Sequence, residues 1–237
     1  MISIRKAGDR GTADLGWLDS KHTFSFGQYY DPAQLGLESL RVLNDDRIAP
    51  GGGFATHPHE NMEIISYVLD GALDHKDNMG NGSTILPGDV QRMSAGTGVT
   101  HSEFNHSKEE GAHFLQIWFL PNADGLEPGY EQKNFSAAEK KGQLKLVSSR
   151  DGRNGSLSLN QDVDMYVTIL DENDAVQHSL DENRKAWVQV ARGSVCLNGH
   201  ELHAGDGAAV ADEQIELSKA ISAEVIIFDM ADYPSSE

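Results

Sequence analysis

The sequence predicts an all-β protein made of two similar β-barrels or sandwiches in tandem. Strand and turn signals recur at short intervals along most of the 237 residues, and no window of comparable length carries a 3.6-residue apolar period. The 24 glycines supply the tight turns that such a chain needs. A strand, a Gly turn, a second strand and a Gly-Asp turn also occur twice, as SYVLDGALDH then PGDV and as VQVARGSVCL then AGDGAA. That echo aligns Gly71 with Gly193 and Gly88-Asp89 with Gly205-Asp206. We therefore expect an N-terminal domain over 1–125, a linker with a short helix over 126–146 and a C-terminal domain over 147–237.

In chain order, Thr23, Ser25 and Gly27 alternate with His22, Phe24 and Phe26, which predicts a strand ending at the Asp31-Pro32 turn. Leu40 to Ile48 reads as a strand and turn stopped by Pro50 and three glycines. Further strands are expected over 62–69, 72–77, 83–86, 90–93 and 113–120, each closed by Gly, Asn or Pro. Past Pro121 the composition turns polar, and Ser136-Ala-Ala-Glu139 has the form of a capping box opening a short helix closed by Gly142. The second half should hold strands over 144–148, 165–170, 187–191, 195–197, 207–210 and 224–228.

Composition excludes several functions. A formal charge of −18, with no compensating Lys/Arg block, argues against direct nucleic-acid binding, because a phosphate backbone needs a clustered basic footprint. No uninterrupted apolar run is long enough to span a membrane. The start MISIRKAGDRG lacks an apolar secretion core, and one cysteine, Cys196, excludes an intrachain disulfide; both point to the cytoplasm.

The chemistry concentrates between Gly51 and Glu103. His57 and His59 form an HxH pair, and His101 with Glu103 forms an HxE pair. Side chains two apart on a strand share a face, so the two pairs converge on one ion if their strands are neighbours. Imidazoles with a carboxylate and no cysteine favour one divalent transition ion, foremost Fe(II), with Cu, Ni, Mn, Co or Zn as alternatives. Three or four protein ligands on an octahedral ion leave positions for O2 or a substrate oxygen. His22, His106, His113, His178, His200 and His203 lack such partners, and the offsets of the ligand pairs fall in the second copy on Ser179, Asp181, Ser218 and Ala220. That copy is expected to lack metal ligands. Phe114, Gln116 and Trp118 share one strand face, with Phe54 beside the HxH pair; facing inward, Gln116 would reach substrate or metal-bound water.

The spacing Gly51-x5-His57-x-His59-x3-Glu63-x7-Gly71 matches the first cupin motif, and GWLDSKHTFSFGQYYDP, HPHE and MSAGTGVTHSE together resemble the pirin family of bicupins. The resemblance implies two jelly-roll cupin barrels and metal ligands at His57, His59, His101 and Glu103. The second motif departs from the general form, with Ser94 where Pro is expected and two extra residues between Gly96 and His101. A general cupin reading would take Glu63 as the carboxylate ligand; the pirin reading takes Glu103, which we prefer. The resemblance also implies a dioxygenase that opens the central ring of quercetin-like flavonols with O2 and releases carbon monoxide; a carboxylate beside the ion can take the proton of the flavonol hydroxyl, and Glu103 is our candidate for that base. The alternative that it implies is an iron-binding regulatory protein that docks on a protein partner without turnover.

Overall fold

In the computed structural model, which describes residues 1–233, the chain forms two compact units. One holds residues 11–134 with 159–161, and the other holds 1–10, 135–158 and 162 onward. Strand β1 (Ile2–Arg5) therefore belongs with the C-terminal unit, not with the expected 1–125 domain, because its backbone pairs with Gly207–Ala211.

The first unit contains β2 (Gly11–Asp14), β3 (Leu18–His22), β4 (Leu40–Ile48), β5 (Gly53–His59), β6 (Glu63–Asp70), β7 (Leu73–Asp77), β8 (Gly82–Ile85), β9 (Asp89–Ser94), β10 (Val99–Asn105), β11 (Ala112–Phe119) and β12 (Gly129–Asn134). They form a seven-stranded antiparallel sheet, β12-β9-β6-β11-β4-β3-β2, and a four-stranded one, β5-β10-β7-β8. The inner faces enclose an apolar cluster of Leu18, Ile48, Val68, Leu73, Ile85 and Phe114.

Two expectations fail here for physical reasons. The strand expected over 23–27 is irregular, because the Ser25 hydroxyl exchanges hydrogen bonds with the backbone of Asp31 and holds the chain in a loop. The expected linker over 126–146 begins with a strand instead. β12 is an edge strand whose Tyr130, Gln132 and Asn134 bond to Ser83, Asp89 and the Thr84 carbonyl, so it reads as polar and escapes an apolar-pattern search. The helix α1 (Ala137–Lys140) follows as expected, with both reciprocal bonds of the Ser136–Glu139 capping box in place.

The second unit adds β13 (Lys145–Ser149), β14 (Leu157–Ser158), β15 (Val163–Leu170), β16 (Val176–His178), β17 (Arg184–Leu197), β18 (His200–His203), β19 (Gly207–Ala211) and β20 (Ile215–Ala231). The strands expected over 187–191 and 195–197 are one strand. Gly193, at φ +66, sits in a run of register shifts along β17, and a Cβ there would lie 2.2 Å from the Ile221 carbonyl oxygen. These shifts let β17 and β20 pair with β19 and β15 at one end and with β18 and β16 at the other. An apolar cluster packs between, including Val188, Val190, Leu197, Leu217, Val225 and Ile227.

The repeated Gly-Asp turn has the same geometry in both units. Gly88 and Gly205 have φ +92 and +89. Each following aspartate accepts a backbone N–H three residues back, Leu86 N to Asp89 at 2.9 Å and His203 N to Asp206 at 3.1 Å.

The first barrel is not apolar throughout. Asp46 lies buried on β4, hydrogen-bonded to the Ser20 hydroxyl, and burial pushes its carboxyl up to about 7 against that bond. A carboxyl that titrates higher folded than unfolded takes up a proton on folding, so its contribution falls as pH rises from about 4 to about 7 and is flat above. Asp46→Asn keeps an oxygen for Ser20 and cannot ionise. At about 1.4 kcal/mol per pH unit, less what relaxation recovers, its gain at pH 8 should be of order 2 kcal/mol, vanishing by pH 4. Thermal melts across that range measure it, and an unchanged pH profile would count against the assignment.

Candidate metal centre

The central strand of the small sheet, β10, builds the site. His101 is the cross-strand partner of His57 on β5 and of Asp77 on β7, while Glu103 is the partner of His75 on β7. His59 pairs with Val99 one step along. Between His101 and Glu103 the register on β5 slips by one residue, a bulge that falls at Ala55 and Thr56 and leaves both imidazoles of β5 turned toward His101. The ring centroids of His57, His59 and His101 lie 4.5 to 4.8 Å apart, and one nitrogen of each falls within 4.8 Å of the others.

These three imidazoles fit a metal ion. Burial, then the rings of His101 and His57, pushes His59 down to about 4. Burial, then His57 and His75, pushes His101 down to about 3. Both are therefore neutral near pH 7, as ligands must be. The His57 Nδ1–H donates to the Ala55 carbonyl at 2.8 Å, which leaves a lone pair on Nε2. That Nε2 faces His101 Nε2 at 3.0 Å, and His59 Nε2 is buried with no hydrogen-bond partner. Two nitrogens in adjacent positions of an octahedral ion, each about 2.1 Å from it, stand about 3 Å apart.

Glu103 is buried beside the triad, and its carboxylate groups with His75 and His101 with ligand atoms within 4.8 Å. It joins the two sheets. Gln116 Nε2 donates to Oε2 at 2.8 Å, and the Ser66 hydroxyl lies 3.1 Å from Oε1. Ser66 is also 3.0 Å from Gln116 Oε1; its single proton favours the anionic carboxylate. Each Glu103 oxygen keeps a lone pair for a metal or a proton.

Glu63 lies elsewhere. It is on the face of β6 opposite Ile64, which packs inward on Met93 and Val99, and it accepts from Ser94 at 2.9 Å and from the Asn160 backbone at 3.1 Å. The remaining histidines are also placed apart from the triad. His106 bonds to Asp74, His113 to Asp45 and His178 to Asp229, while His200 and His203 are exposed. His22 is buried against Phe26, and burial lowers its pKa. Among the described residues, both groups of three or more His, Cys, Asp or Glu at ligand spacing lie in the first unit.

Gln116 faces inward to Glu103, with Phe114 fully buried and Trp118 edge-on to His59 at 4.8 Å. Sequence reasoning missed Ser66, His75 and Asp77. The available signal was the HxD spacing of His75 and Asp77, the strand form already used for HxH and HxE. The cross-strand partners His22, Asn44, Gln116, Ser66 and Gln91 also line one inner face as a polar row. Atoms of His22, Asn44 and Gln91 in that row have no hydrogen-bond partner.

Comparison with known proteins agrees with this architecture. A profile described as Pirin matches residues 4–119, and one described as Quercetinase C-terminal cupin domain matches residues 146–230. A protein of Escherichia coli strain K12 named quercetin 2,3-dioxygenase is 47% identical over 97% of this chain and 99% of its own length. A pirin-like protein of Caulobacter vibrioides is 40% identical over 98% and 100%. The crystal structure of the bacterial pirin YhhW from Escherichia coli in complex with nickel(II) superposes with a TM-score of 0.93 at 45% identity, covering 98% of this chain and 100% of that one. The chain belongs to the pirin family and has its two-cupin fold.

Proposed function

We propose that the protein is a metal-dependent dioxygenase that opens the central ring of quercetin-like flavonols with O2 and releases carbon monoxide. The observation that carries the reading is the convergence of three imidazoles, two of them kept neutral by burial, beside a buried, hydrogen-bonded carboxylate. His57, His59, His101 and Glu103 would hold one divalent first-row ion, foremost iron(II). The names of close relatives supply the substrate class.

Bound there, the ion supplies a Lewis acid for an enolic hydroxyl and an electron-transfer route to O2. The chain's residues do the rest. Glu103, held between Gln116 and Ser66, takes the proton of the flavonol 3-hydroxyl on a carboxylate oxygen. With Glu103 and His101 at 1% and 2% exposure, that transfer runs in a dry site where a fixed carboxylate acts strongly. Trp118 stands edge-on to both His59 and Phe26, and its indole N–H is buried without a partner, a donor ready for a guest oxygen. The rings of Phe26, Phe54 and Trp118 offer apolar edges for a flat aromatic guest.

The deciding assay follows loss of the quercetin absorbance band in air with protein loaded in turn with Fe, Cu, Ni, Mn and Co. Turnover that stops on chelation and returns with metal supports the enzyme reading. No turnover with any of the five would leave the iron-binding docking protein as the function.

Two further outcomes are expected. His101→Ala should lose most of its metal while His203→Ala, changed at an exposed site in the second unit, keeps the wild-type content; metal analysis of both after identical loading reads this. At matched metal content, Glu103→Gln should lower kcat by roughly 10²–10⁴-fold. Glu63→Gln should act on stability through Ser94 and Asn160 and leave kcat within severalfold. The reverse order would mean that Glu63 is the working carboxylate.

A further inference from the structure

A chain of hydrogen bonds lies behind His101, on the side away from His57. His101 Nε2 faces His57, and its other nitrogen, Nδ1, lies 3.4 Å from Nδ1 of His75. His75 Nε2 lies 3.1 Å from the Asp77 carboxylate. Asp77 is fixed in turn by the backbone N–H groups of Met79 and Asn81 and by the Asn81 side-chain amide, each at 2.9 Å. Three N–H donors converge on the Asp77 oxygens, an arrangement that suits a carboxylate and makes Asp77 an acceptor toward His75. His75 has a fully buried side chain with its ring over Tyr130, 4.9 Å between centroids.

The proton positions follow in order. An anionic Asp77 only accepts, so His75 carries its proton on Nε2. With that proton on Nε2, the Nδ1 of His75 offers a lone pair toward His101. That lone pair accepts from His101, whose proton must sit on Nδ1, and Nε2 of His101 is left free toward His57 and His59. We infer that His75 and Asp77 are positioning residues that lock His101 in its Nδ1–H form and so aim the Nε2 lone pair at the metal. The inference rests on His101 being a ligand, as proposed above.

His75 also groups with His101 and Glu103 at ligand spacing, which raises the alternative of a second ion. The relay accounts for both nitrogens of His75 without one. A second ion would instead compete with Asp77 or with His101 for a nitrogen already engaged.

Affinity for Zn(II) and the ¹⁵N spectrum of zinc-loaded protein test the inference. In wild type, His101 should be bound through Nε2 and protonated at Nδ1, with His75 neutral and protonated at Nε2 alone. His75→Phe keeps the ring against Tyr130 but neither hydrogen bond, and should weaken zinc binding about 10–100-fold. His75→Asn, which returns an oxygen acceptor near the Nδ1 position, should recover much of that loss. Asp77→Asn should fall between wild type and His75→Phe. Thermal melts confirm that each variant is folded, so the recovery by Asn separates proton placement from packing. A second zinc per chain that disappears in His75→Phe, a His75 bound to metal or protonated at Nδ1, or equal affinity in His75→Phe and wild type would each overturn the relay. His101→Ala keeps the two readings apart. Zinc bound normally by that variant refutes the ligand assignment itself, whereas zinc lost there and retained at full affinity in His75→Phe refutes the relay alone.

Discussion

The register of three strands decides everything at the site. β10 lies between β5 and β7, and its pairing puts His57, His101 and Asp77 in one row and His75 beside Glu103 in the next. A slip by one residue on β10 would turn His101 and Glu103 to the other face together, since side chains alternate along a strand. The inner face of the large sheet is fixed with equal economy. Gln116 and Ser66 are cross-strand partners there, and both meet Glu103, so the carboxylate records the alignment of the two sheets.

Burial gives these polar groups their chemical character. An imidazole removed from water and crowded by two others resists protonation, which keeps His59 and His101 available as lone-pair donors well below neutral pH. The same removal from water makes an unpaired polar atom costly, so partnerless atoms on His22, Asn44, Gln91 and Trp118 need an occupant. Ordered water or an oxygen-bearing guest would satisfy them. The second unit shows the contrast. It repeats the Gly-Asp turn, yet at the position the sequence echo aligns with Glu103 it has Ala220, packed in an apolar cluster.

Much of this was legible in the sequence because it depends on local rules. Turn residues marked the strand ends, spacing of two marked the HxH and HxE pairs, and the echo between halves marked the duplication. What escaped depends on neighbours distant in sequence. β12 is written in polar residues because its side chains answer Asp89 and Ser83, and β1 gave no sign that its partner is β19. Glu63 and Glu103 could not be separated by pattern either. The run from Glu63 to Leu69 is buried on both faces, so alternation does not say which way Glu63 points, and only Ser94 and Asn160 reveal it.

His75 and Asp77 show how the two kinds of information combine. Their spacing places them on one face of β7, but only the pairing of β7 with β10 gives them His101 as a neighbour. An imidazole free in water interconverts between its two neutral forms, so a site that needs the lone pair on one nitrogen of each ring must supply a partner for the other. The Ala55 carbonyl does this for His57, from the same strand and two residues away. His101, in the middle of the sheet, has no carbonyl in that role. Its partner must come from the inner face of the next strand, where only a side chain can reach, and His75 backed by Asp77 can accept the hydrogen bond from its Nδ1–H.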